Sequence, residues 1–206
     1  MWKRLGAFLI FIFGCAIPSC GPKAQDACGF QQNSYGERIS WKGDLPVTMY
    51  LHESVPDKDI PAIEAAAATW EKTSGKTLFK IVTEPRIAGP ANPHKDGKNV
   101  IYFMDTWEAD KPLEQGRTSV YWVGDQIQEA DIRINAAPKR FKYYTTPEEK
   151  SPDGVNLEAL ILHEMGHVLG LKHKDDSPSV MATYLANDTD RTETTTADVA
   201  DLKCEY

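Results

Sequence analysis

Apolar residues recur along this chain with two spacings, and the switches between them mark out its elements. In "LPVTMYL", Val47, Met49 and Leu51 alternate with Thr48 and Tyr50, the period of a strand with one buried face. In "DIPAIEAAAATWEKTSG" the period lengthens. Ile63, Ala66, Ala67 and Trp70 fall on one helical face, with Pro61 near the start and Gly75 as the stop. "TLFKIV" and "NVIYFM" read as further strands, separated by the Pro/Gly-bearing loop "EPRIAGPANPHKDGKN". "TSVYWVGDQIQEADIRINA" predicts two strands joined through Gly124 and Asp125. In the second, Ala130, Ile132 and Ile134 alternate with Asp131, Arg133 and Asn135. After the polar, aromatic loop "APKRFKYYTTPEEKSPDG" comes "NLEALILHEMGHVLG", a second helix with Asn156 as N-cap. It is apolar on nearly every side and therefore belongs at the centre of the molecule. "TTADVADLKCEY" carries Thr195 and Asp198 at capping-box spacing and predicts a third helix. Strands and helices together fit a single α+β domain.

The chain has 206 residues, enough for one domain with a real core. Its first segment stands apart, because Lys3 and Arg4 precede an apolar run from Leu5 to Ile17 that is too short to span a bilayer ahead of an aqueous domain. This is the pattern of an export signal. Its end, "AIPSCG", resembles the processing site of bacterial lipoproteins, which implies a lipid on Cys20. On that reading residues 1–19 are the signal, 20–40 the lipid-anchored linker and N-terminal segment, and 41–206 the folded domain. A signal cut by the general peptidase, or an uncut anchor, is the alternative.

The formal charge of −7 becomes −9 once Lys3 and Arg4 leave with the signal. An acidic exported domain is a poor partner for nucleic acid or anionic lipid, both of which need a positive surface. Peptides and proteins remain as partners, with the membrane reached only through the N-terminal anchor and a monomer expected. Of four cysteines, Cys15 leaves with the signal and Cys20 takes lipid, so Cys28 and Cys204 are left. In an oxidising compartment they are expected to pair, closing a loop worth roughly 5 kcal/mol in the chain-entropy account. Two separate thiols are the alternative.

Three of the five histidines crowd into "HEMGHVLGLKH", residues 163–173. His163 and His167 sit one helical turn apart on one face, so both imidazoles reach a single ion. A helix continued regularly would carry His173 ~15 Å further along the axis, too far to share it. Gly170 resolves this, since a glycine can take the left-handed conformation that ends a helix and swings His173 back as a third ligand. Three neutral imidazoles favour one catalytic Zn2+ with an open fourth position for water. Glu164, beside the first ligand, is placed to take a proton from that water and deliver it to a leaving amine. Chance would produce these five fixed positions only ~1 time in 100,000 from average residue frequencies.

With those residues in place, the sequence resembles the metzincin zinc peptidases, whose H-E-x-x-H-x-x-G-x-x-H pattern "HEMGHVLGLKH" fits, with "SVM" following at Met181. In that family a tight turn carrying a methionine lies beneath the metal, which implies a supporting role for Met181. Among metzincins the likeness is to the matrixins, the matrix metalloproteinase group. Met181 lies at the matrixin distance after His173, Asp176 takes the acidic position between them, and "NLEALILHE" has the matrixin lead-in. "AIEAAAATW" and "DVADLKCEY" resemble the first and last matrixin helices, so the likeness spans most of Leu45 to Tyr206. It implies a metzincin-like single domain, a twisted mixed five-stranded sheet with three helices and a cleft across the zinc. It also implies that "TSVYWV" is the sheet edge along which an extended substrate adds, involving Thr118, Ser119, Val120, Tyr121 and Trp122. The side chains of Tyr121 and Trp122 are equally readable as packing. Tyr184 is a candidate for the specificity pocket, although "ATYLAND" departs from the usual matrixin wall.

The resemblance breaks down elsewhere. Matrixins commonly hold a second, structural zinc with several histidines, whereas only His52 and His94 remain here, read as ordinary surface residues. Ca2+ is possible at acidic loops such as "NDTDRTE", which is more simply a solvated run. There is no room for a full propeptide, but "CGF" resembles the cysteine that blocks zinc in matrixin zymogens, so Cys28 is either paired with Cys204 or a free zinc-blocking thiol. Two functions follow: a zinc-dependent endopeptidase acting on extracellular or envelope proteins, or a surface binding module retaining the fold, with "KRFKYY" as its patch.

Overall fold

The computed structural model describes residues 24–175 and 178–206. Val47–His52 (β1), Phe79–Ile87 (β2), Asn99–Met104 (β3), Gly116–Val123 (β4) and Gln126–Asn135 (β5) form one sheet in the order β2-β1-β3-β5-β4. Parallel pairing joins β1 to both β2 and β3, and β3 to β5. Only the β4–β5 pair is antiparallel, since it alone is closed by a two-residue turn, with Gly124 at φ +64°. The sheet is therefore mixed, and β4 is an edge strand with one side of its backbone unpaired.

Ile60–Ser74 (α1) and Leu157–Val168 (α2) pack against each other, with α2 also against β4 and β5. Gly75 ends α1 in the left-handed conformation, φ +73°. Asn156 caps α2 by accepting from the Ala159 N–H. Nine of the twelve α2 residues are buried, which explains a helix that is apolar all round. The Trp70 indole of α1 donates to the Leu162 carbonyl of α2 at 2.8 Å, satisfying both polar groups inside the core. Thr196–Leu202 (α3) begins with the Thr195/Asp198 capping box. These elements make the α+β architecture of a mixed five-stranded sheet and three helices that the periodicity and the resemblance anticipate.

Several segments depart from the sequence reading. The loop after β5 contains Lys142–Tyr144 (β6) paired in parallel with Gly154–Asn156 (β7). Strands of three residues are too short to display a period. The tyrosines of "KRFKYY" face inward: Tyr144 is buried, and the Tyr143 hydroxyl lies 2.9 and 3.1 Å from the Asn135 and Gln115 carbonyls. His52 is a buried residue and not a surface one, held between Ser54 Oγ (2.8 Å) and the Gly89 carbonyl (3.0 Å) and packed on the Tyr102 ring. His94 is exposed. In the acidic run, Asp190 accepts from the Tyr144 hydroxyl, Lys150 and Asn156 at 2.6–2.8 Å, and Lys150 also reaches Asp188. Protein donors thus serve these carboxylates, and a calcium role has no support.

Cys28 and Cys204 form a disulfide with their Cα atoms 6.2 Å apart. Phe30 and Ile39, on the segment that follows Cys28, are fully buried, and Arg38 and Lys42 pair with Glu205 at 2.8 and 2.9 Å. Among the described residues no helix is long and apolar enough to cross a membrane. The expected signal, Cys20 and Asp176 lie outside the described residues.

Candidate active site

Helix α2 sets His163 and His167 one turn apart, and the chain then turns back at Gly170, φ +97°. The Leu171 N–H bonds to the Gly166 carbonyl at 3.0 Å and the Gly170 N–H to the His167 carbonyl at 2.9 Å, closing the helix end. A Cβ at residue 170 would stand 2.2 Å from the Ile39 carbonyl oxygen, so a glycine is required for space as well as for φ. The turn brings His173 Nε2 to 3.1 Å from His167 Nε2, which lies 3.2 Å from His163 Nε2.

The other ring nitrogens settle what those contacts are. His163 Nδ1 is 2.8 Å from the Val180 carbonyl and His167 Nδ1 is 2.7 Å from the Leu171 carbonyl. A carbonyl only accepts, so each Nδ1 carries its proton and each Nε2 presents a lone pair to its neighbours. Burial drives these two imidazoles down to about 3 and about 4, with His167 and His173 pressing His163 lower and His173 pressing His167 lower. Neutral rings with converging lone pairs repel one another unless a cation sits among them, and this is the donor set that suits zinc. Among the described residues, no other group of three or more potential ligands converges in this way.

Met181 is buried against α2. A Cβ at Gly166 would stand 2.2 Å from its sulfur and 3.0 Å from Trp70. The turn that carries it is tied to α3: Asp198 accepts from Ser179 Oγ and from the Val180 N–H, and the Met181 N–H bonds to Ser179 Oγ at 2.9 Å. One buried aspartate therefore starts α3 and also fixes the carbonyl that orients His163.

Glu164 is buried beside the triad. Burial raises its carboxyl to about 7, against the pull of the Thr118 hydroxyl, which donates to Oε2 at 2.6 Å. A cavity of about 570 Å³ opens over it, lined by the three histidines, by Thr118, Val120 and Trp122 of β4, and by Tyr184.

Residues 93–206 match the family model described as Matrixin. The chain belongs to the matrixin family. No curated protein matches it.

In this matrixin the candidates on β4 divide by face. Thr118, Val120 and Trp122 line the cavity, whereas Ser119 and Tyr121 do not, because neighbouring strand residues point to opposite sides. Tyr121 instead lies under the Lys95 ammonium, 5.9 Å from the ring centre. Tyr184 is 76% exposed, a rim residue and not a pocket floor. The loop before β4 is held by a charge cluster. Arg117 and Arg133, register partners on β4 and β5, both pair with Glu108 at 2.9 and 3.1 Å and flank the Trp107 ring at 5.7 and 5.3 Å. Sequence reading missed the roles of Gly116, Gly166, Gln31 and Ile39. The first two did carry a signal, since glycine inside a strand or helix costs stability and marks a close approach. Gln31 and Ile39 reach the cavity from a segment that shows no periodicity at all.

Proposed function

We propose that this matrixin is a zinc-dependent endopeptidase acting on extracellular or envelope proteins, with His163, His167 and His173 as the metal ligands and Glu164 as the base. The observation that carries the reading is the convergence of three histidine Nε2 atoms, two of them bearing lone pairs, beside a buried carboxylate at the base of an open cavity. Zinc, when bound there, supplies Lewis acidity to the scissile carbonyl and makes a water acidic enough to attack it. Glu164 takes the proton released by that water and passes it to the departing amine, and a carboxyl held near 7 suits both steps. The unpaired edge of β4, with Thr118, Ser119, Val120, Tyr121 and Trp122, aligns an extended peptide through backbone hydrogen bonds, and Tyr184 borders the side-chain pocket. Gly170 and Met181 hold the ligands in place.

The Cys28–Cys204 disulfide supports an oxidising compartment and rules against Cys28 as a zinc-blocking thiol in this state. We place residues 1–19 in a signal, Cys20 as the lipidated residue, and 20–40 as the anchored segment, whose part from Cys28 onward packs into the peptidase domain of 41–206, working as a monomer. Casein or gelatin cleavage is the test. Chelator should abolish it and zinc restore it, and Glu164→Ala should lower kcat by at least about a thousand-fold with zinc still bound. Equal activity in that variant would remove Glu164 from its role.

A further inference from the structure

The carboxylate of Glu164 is gripped from one side by a single strand. Gly116 and Thr118 are two residues apart on β4, so both face α2. Thr118 Oγ1 lies 2.6 Å from Oε2 and 3.1 Å from the Glu164 carbonyl, and the shorter, charge-assisted contact takes its proton. At Gly116 a Cβ would fall 2.9 Å from Oε1 and 3.3 Å from Cδ. One carboxylate oxygen therefore lies close to bare backbone and the other is tethered by a hydroxyl. Oε1 has no hydrogen-bond partner among the described residues, and Glu164 borders the cavity.

We infer that Thr118 and Gly116 are positioning residues for Glu164, fixing its carboxylate so that Oε2 is spent on the hydroxyl and Oε1 alone is turned to the water. The strand is stiff enough for this task. Thr118 is in register with Ile132 of the buried strand β5, and Arg117, between the two positions, is fixed by Glu108 and Glu114. A glutamate side chain with several free rotors would otherwise spend much of its time away from the reacting geometry, and orientation of this kind is a large part of a catalytic rate. The role expected of Thr118 from sequence, contact with substrate, thus passes to the backbone of the strand, while its side chain serves the base.

The inference rests on Glu164 acting as the base, and the experiment separates the two claims. Thr118→Ala and Thr118→Ser differ only by the hydroxyl, and Thr118→Val keeps the shape of threonine without it. Each is made in the full chain with Glu164→Gln and Gly116→Ala alongside, and kcat, KM and zinc stoichiometry are measured on a quenched fluorescent peptide that the parent chain cleaves. The Ala and Val variants should lose kcat by about ten- to hundred-fold at unchanged KM and full zinc content, as for other partners of reacting groups. Ser should stay within about three-fold of the parent, and Gly116→Ala should lose kcat although Thr118 is intact. Ala matching Ser would overturn the inference, as would losses that follow zinc content, or Ala and Val variants that fail to fold where Ser folds, since the hydroxyl would then be structural. A Glu164→Gln variant with full activity would instead remove the functional reading itself.

Discussion

Glu164 and Asp131 are both buried carboxyls held at about 7, chiefly by burial, yet they differ in what meets their second oxygen. Glu164 has a hydroxyl on Oε2, and the residue borders a cavity. Asp131 accepts from the Val100 N–H at Oδ1, but its Oδ2 is buried without a partner, with Glu129 and Asp96 adding repulsion. For such an acid the protonated form is favoured in the folded state. Its stabilisation is full below the unfolded value near 4 and is lost as pH rises through about 7. Asp131→Asn keeps the acceptor and removes the titration. The variant should match the parent near pH 4 and exceed it at pH 8 by about 1–3 kcal/mol, the usual penalty of a buried polar atom left unpaired. Urea unfolding at the two pH values checks this, and a gap that does not change with pH would contradict it. The sequence displayed Asp131 only as the polar half of an alternating strand. That its face is covered, by the loop through Gly97 that caps Glu129, depends on where a distant segment lies.

At the scale of elements, what was legible had a period or a cap. The strands alternate, α1 stops at Gly75, Asn156 and Thr195 cap their helices, and the three-histidine turn follows from spacing with Gly170. Elements of three residues, β6 and β7, carry no such mark, and the cluster of Trp107, Glu108, Arg117 and Arg133 pairs residues whose partners are set by sheet register. Gly166 lies between these cases. An alanine there would gain about 1 kcal/mol of intrinsic helix preference. It would also drive a Cβ to 2.2 Å from the Met181 sulfur and 3.0 Å from Trp70, in a core with no slack. Overpacking costs about 1–3 kcal/mol and outweighs the gain. Gly166→Ala should therefore lower the thermal midpoint, and by displacing the turn whose Val180 carbonyl orients His163 it should weaken zinc binding about ten-fold. Competition with a chromogenic chelator measures the second effect. A variant more stable than the parent, with unaltered zinc affinity, would show that Met181 is loosely packed.

Over the whole molecule, the third histidine of the triad is held by residues from the far end of the chain. The Lys172 N–H bonds to the Gly29 carbonyl, the Gln31 N–H to the Gly170 carbonyl, and Phe30 pairs with Leu171, so the turn that delivers His173 lies against the segment beginning at Cys28. That segment is fastened in turn to the C-terminus by the disulfide, by Arg38 and Lys42 on Glu205, and by the Phe30 ring against Tyr206. Counting cysteines indicated the pairing, but nothing in the spacing of residues indicated that the bridged segment would be the floor of the turn that delivers His173. Removing the bridge should act on both. Replacing Cys28 and Cys204 together by serine should cost about 2–5 kcal/mol of stability. Because the freed segment supports Gly170 and Lys172, zinc should also bind more weakly, with the loss concentrated in faster dissociation. In the parent, a dithiol reductant should reproduce both changes, and in the serine variant it should have no effect. Lower stability with an unchanged zinc dissociation rate would mean that the hydrogen bonds of Lys172 to the Gly29 carbonyl and of Gln31 to the Gly170 carbonyl hold the turn without help from the bridge.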